Sequence, residues 1–69
     1  MHKYLVIFEK VRDNYSAYSP DIPGCIATGK SRDEVEKNIK EAISFHIQGL
    51  AEDGMPIPEP ASFTEYVEV

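Results

Sequence analysis

Lys3-Tyr4-Leu5-Val6-Ile7-Phe8-Glu9-Lys10-Val11 is the stretch on which the architecture turns. It is rich in β-branched and aromatic residues, contains neither glycine nor proline, and predicts a strand over residues 3–11. Successive strand side chains point to opposite faces, so Leu5 and Ile7 share one face while Tyr4, Val6 and Phe8 share the other. Both faces are apolar, which is the pattern of a strand central in its sheet. Asp13 and Asn14 follow as turn residues, because both tolerate left-handed backbone. The hairpin's second strand is then Tyr15-Ser16-Ala17-Tyr18. Ser19-Pro20-Asp21-Ile22-Pro23-Gly24 stops it, with Pro23-Gly24 suited to the centre of a type II turn. A third strand, Cys25-Ile26-Ala27-Thr28, ends at Gly29.

Ser31 and Glu34 form a capping box, so a helix starts there. Val35, Ile39, Ala42, Ile43, His46 and Leu50 recur at helical spacing as one apolar stripe, with Ile47 on its margin. Gly54 is placed to end the helix, although Glu52 and Asp53 before it oppose the negative end of the helix dipole. Gly49 within the helix costs about 1 kcal/mol relative to alanine, and close contact with another backbone is the expected reason for it. Met55-Pro56-Ile57-Pro58-Glu59-Pro60 alternates proline with other residues and predicts an extended connector. Phe63-Thr64-Glu65-Tyr66-Val67-Glu68-Val69 alternates again, as a half-exposed fourth strand would. The order β-β-β-α-β describes one α+β domain over residues 1–69, with a single helix on one face of a four-stranded sheet.

A chain of 69 residues buries too small a fraction of its surface to be robust alone, and one helix leaves one sheet face bare. A homodimer or tetramer is therefore expected. Hydrophobic content of 42% against 28% charged residues places the chain among folding sequences rather than disordered ones. The longest apolar run, Leu5 to Phe8, excludes a membrane-spanning helix. The start of the chain lacks a secretory pattern, and Cys25 is the one cysteine, so a cytoplasmic location is expected.

Seven basic and twelve acidic residues give a net charge of −5, which argues against nucleic-acid binding. Residues 1–51 hold all seven bases and seven acids, so the excess lies wholly in Glu52, Asp53, Glu59, Glu65 and Glu68. These five, with Tyr66 as an aromatic anchor, are the candidate partner-binding residues, suited to a basic surface. They also suit a merely solubilising tail.

No catalytic, metal or cofactor site is expected. Cys25 fits a small buried hydrophobe better than a nucleophile, and His46, with only His2 and Cys25 as companions, lacks the ligands for zinc. Glu9 and Glu41 are the nearest pair of carboxylates for a two-metal nuclease, but Glu41 lies off the stripe that faces the sheet.

Tyr15-x-Ala17, the run Ser19 to Cys25, Thr28-Gly29, Ser31-x-Asp33-Glu34-Val35, Asn38, Glu41-Ala42-Ile43 and Gly54-x-Pro56-Ile57-Pro58-x-Pro60 together resemble the HicB family of antitoxins. The resemblance spans residues 4–60 and implies a degraded ribonuclease H-like core, its fourth strand parallel to and beside the first, that self-associates into dimers or tetramers. It implies a non-enzymatic protein that neutralises a HicA-like toxin, a small basic protein that cleaves mRNA. The alternative is a stand-alone oligomeric module with a regulatory or ligand-binding role and no toxin. Many family members continue into a DNA-binding domain; this sequence stops at Val69, so promoter binding is not expected of it.

Overall fold

Strands β1 (Ile7–Val11) and β2 (Asn14–Tyr18) pair antiparallel, with Ile7 opposite Tyr18 and Val11 opposite Asn14, in a computed structural model that describes residues 2–69. This register leaves Arg12 and Asp13 as the two turn residues, one position earlier than Asp13-Asn14. Arg12 takes the left-handed conformation, φ 57°. Strand β3 (Ile26–Gly29) pairs antiparallel with β2, so the sheet runs β1-β2-β3.

Two consecutive turns join β2 to β3. The Ile22 amide donates to the Ser19 carbonyl at 3.2 Å, and the Cys25 amide donates to the Ile22 carbonyl at 3.2 Å. In the second turn Pro23 precedes Gly24 at φ 80°, the arrangement of a type II turn. The doubled turn drives Ile22, wholly buried, into the core.

Helix α1 (Arg32–Glu52) starts at Ser31, whose Oγ accepts from the Glu34 amide at 3.1 Å. The expected box closes only in part, because the Glu34 carboxylate accepts from the Lys30 amide, 3.3 Å away, rather than from the cap's own amide. The helix ends in a Schellman motif: Met55 N–H donates to the Leu50 carbonyl at 2.9 Å and Gly54 N–H, at φ 68°, to that of Ala51 at 3.2 Å. These bonds satisfy the terminal carbonyls without any basic residue in the last turn.

The core is Ala17, Ile22, Cys25, Val35 and Ile39, with Tyr4, Val6, Tyr15, Ala27, Ala42, Ile43 and Ile47 packed around it half-buried. The helix covers one face, as expected. On the other face the cross-strand row Ile7–Tyr18–Ile26 remains open, and Ile26 is 65% exposed.

Three expectations need correction. The first strand begins at Ile7 rather than Lys3, and it lies at the edge of the sheet rather than at its centre. The predicted fourth strand over residues 63–69 does not form: residues 55–69 carry neither helix nor strand, and every residue from Phe63 to Val69 is exposed. A strand needs an edge to bond to, and in the single chain residues 63–69 pair with neither outer edge of the sheet. Gly49 is not a point of close approach either; a Cβ there would meet nothing within 4 Å. Gly29 is that point, since a Cβ on it would lie 2.6 Å from the Val35 backbone nitrogen.

Opposite effects are therefore expected at the two glycines. Gly49→Ala should raise stability by about 1 kcal/mol through helix propensity, whereas Gly29→Ala should lower it by about 1–3 kcal/mol by forcing β3 and α1 apart. Urea denaturation of the two variants checks both signs.

Candidate interaction surface

The acidic residues occupy three places. Glu52 closes α1 and Asp53 is its C-cap; Glu59 lies in the proline connector; Glu65, Tyr66 and Glu68 lie in the terminal segment. All six candidate residues are exposed. The structure thus presents them to solvent but does not gather them into one cluster. Glu52 Oε1 accepts from Gln48 Nε2 at 3.5 Å, and Glu59 stands 3.8 Å from His2 Nε2. Tyr66 is fully exposed and does not pack on the sheet, which leaves the ring free to serve as an anchor. Outside the stripe, Phe45 is 80% exposed on the outer side of α1, between Lys37, Lys40 and Glu41.

What positions the terminal segment is a pair of fastenings. The Tyr4 hydroxyl donates to the Pro58 carbonyl. Further on, Asp21 in the β2–β3 turn accepts three bonds: Oδ2 from the amides of Ala61 at 3.1 Å and Ser62 at 3.0 Å, and Oδ1 from the Ser62 hydroxyl at 2.8 Å. The Ser62 amide and hydroxyl, with a smaller contribution from the Ala61 amide, hold the Asp21 carboxyl below its usual range against a partial loss of hydration. The Tyr4 phenol is pushed up, first by desolvation and then by the Glu59 and Asp21 carboxylates. Sequence reasoning missed this clamp. Asp21 was legible as a turn residue, but nothing local marks a partner forty-one positions away.

A groove of about 660 Å³ runs between α1 and the segment leading into β1, lined chiefly by Tyr4, Val6, Phe8, Ile39 and Ile43, with Lys40 on its rim. It exists because α1 packs on β3 and β2 while β1 lies outside its footprint.

The remaining candidates separate. Cys25 is buried, and desolvation raises its thiol pKa, the opposite of what a nucleophile requires. His46 is half-buried on α1. Glu9 pairs with Ser16 on the open face of the sheet and Glu41 is exposed on the helix, so the two do not converge. Among the described residues no three His, Cys, Asp or Glu side chains come together as metal ligands, and no helix is long and apolar enough to cross a membrane.

Comparison with known proteins fits this arrangement to one family. Residues 4–69 match the family described as HicB_like antitoxin of bacterial toxin-antitoxin system. The chain is 42% identical over 64 residues to an uncharacterized 14.9 kDa protein of Haemophilus phage HP1, a match covering 93% of this chain and 48% of that protein. It is likewise 42% identical over 57 residues to a UPF0150 protein of Thermoplasma acidophilum, covering 81% of this chain and 83% of the relative. The chain thus spans about half the length of the phage relative. Among solved structures, a chain of one described as the HicA3 and HicB3 toxin-antitoxin complex superposes with a TM-score of 0.72 at 33% identity, over 87% of this chain and 70% of that one.

The clamp has a pH signature. Because the folded-state pKa of Asp21 is lowered, its contribution is fully present above the unfolded carboxylate value of about 4 and is lost as pH falls through the folded value. Amide NMR shifts of Ala61 and Ser62 should therefore move together below about pH 4, and Asp21→Asn should move them at neutral pH while leaving the β1–β2 amides in place. Shifts in the Asp21→Asn protein that match those of the parent chain would remove the clamp from the account.

Proposed function

The chain belongs to the HicB-like antitoxin family, and from that membership we propose that it binds and neutralises a small basic mRNA-cleaving toxin of the HicA type, in the cytoplasm, without chemistry of its own. The observation that carries the reading is the likeness, over 87% of the chain, to a chain from a HicA3–HicB3 toxin-antitoxin complex. The charge distribution supports it. Residues 52–69 hold five acids and no Lys or Arg, and all five are exposed.

A basic ribonuclease presents cations where it holds RNA phosphates, and a polypeptide that blocks that face must offer anions in their place. Glu52 and Asp53 supply them from a rigid helix end, Glu59 from the connector, and Glu65 and Glu68 from the terminal segment. Long-range attraction speeds encounter, and the exposed Tyr66 ring provides the apolar anchor that slows release. Catalysis is not needed for this task; occlusion is enough.

Co-expression is the direct test: a short basic protein encoded beside this chain should arrest growth alone and cease to do so when the chain is present. With purified proteins, Glu68→Lys combined with Glu52→Lys should slow association by about tenfold at low ionic strength, the difference shrinking above about 0.5 M salt. Tyr66→Ala should instead speed dissociation. A neighbour that leaves growth unaffected, or binding kinetics indifferent to all three changes, would favour the stand-alone module.

A further inference from the structure

The bonds made by Asp21 hold a segment that adds nothing to the core. Three donors converge on this one carboxylate: the amides of Ala61 and Ser62 on Oδ2 and the Ser62 hydroxyl on Oδ1. Bonds to an ionised acceptor are about twice as strong as neutral ones. Yet no residue from Phe63 to Val69 belongs to the core or to the half-buried residues around it, and all of them are exposed. Ser62 is also the last residue bonded to the rest of the domain; among the described residues no hydrogen bond links positions 63–69 to it. What the carboxylate orders is therefore the place from which the acidic segment leaves.

The connector ahead of this anchor is stiff. The Tyr4 hydroxyl holds it at Pro58, and Pro58 and Pro60 each fix their own φ. With both ends held, residues 58–62 have little freedom. Glu65, three residues past Ser62, then stays within about 11 Å of the anchor. Without Asp21 the last hydrogen bond lies at Pro58, seven residues before Glu65, and the reach grows to about 25 Å.

We propose, building on the neutralisation reading, that Asp21 is a positioning residue for the basic partner: by fastening Ala61 and Ser62 to the β2–β3 turn it fixes the point from which Glu65, Tyr66 and Glu68 reach out, so that they arrive as a preset group. Asp21 itself need not touch the partner, since the chain's own donors occupy its oxygens. A segment free from Pro58 onward has to be ordered at the moment of binding. Its effective concentration at the partner's face also falls roughly as the −3/2 power of tether length, which for Glu65 is a loss of about fourfold. With the reordering of residues 59–62 added, release of the clamp should weaken binding about five- to tenfold.

The test takes the purified full chain and the short basic protein encoded beside it, with Kd read by calorimetry. Asp21→Asn should raise Kd about five- to tenfold, and the amide ¹H–¹⁵N nuclear Overhauser effects of Phe63 and Thr64 in the free chain should fall; Asp21→Ala serves if those effects show the asparagine still holding Ser62. Ser62→Ala, which removes one bond and no charge, should raise Kd by less. The decisive background is Glu65→Gln with Tyr66→Ala and Glu68→Gln, which keeps Glu52, Asp53 and Glu59 for binding but leaves the clamp nothing to position. There Asp21→Asn should change Kd by less than about twofold. Equal affinity of the parent and clamp-released chains overturns the proposal and leaves the neutralisation reading standing. So does a loss that persists undiminished in the triple background, which would make Asp21 a direct contact. A parent chain that fails to bind the basic protein overturns the neutralisation reading, and the proposal with it.

Discussion

The beginning of α1 lies against the end of β3 with no space for a side chain between them, and Gly29 makes this approach possible. Asn38 reinforces the seat one helical turn further on by donating its Nδ2 to the Thr28 carbonyl at 2.8 Å. Pinned there, the helix spends its apolar stripe on β3 and β2, and β1 protrudes beyond its cover. The small core, the groove and the unpaired edge all follow from where that one contact anchors the helix.

The turn from Ser19 to Cys25 carries a comparable share of the organisation within few residues. Pro20 and Pro23 set the backbone for consecutive turns, Gly24 supplies the left-handed position, Ile22 fills the core and Cys25 joins it as a hydrophobe. Asp21, between them, faces outward and receives the connector. A proline-aspartate-apolar-proline-glycine-cysteine run thus has a physical reason at each position, and none of those reasons is catalytic.

An acidic helix end is tolerable here because the Schellman bonds from Gly54 and Met55 satisfy the last carbonyls. The carboxylates of Glu52 and Asp53 are therefore not needed to satisfy those carbonyls and remain as exposed charge. The same holds along the terminal segment, whose side chains contribute nothing to the core of the single chain. The core is built from residues up to Ile47, and the acidic residues beyond it face outward.

Local physics made much of this legible. The period of the apolar residues marked three strands and a helix, Ser31 marked where the helix starts, Gly54 where it stops, and Pro23-Gly24 the type II turn, because each depends on neighbours a few positions away. The acidic bias of residues 52–69 and the candidates Glu52, Asp53, Glu59, Glu65, Tyr66 and Glu68 were equally readable, though their distribution over three separate places was not. Only the tertiary structure decided that Gly29 rather than Gly49 is the close contact, that Asp21 fastens Ser62, and that β1 is an edge. Those outcomes depend on which distant segments come to lie together, and a strand's alternation specifies that it will pair without saying with what.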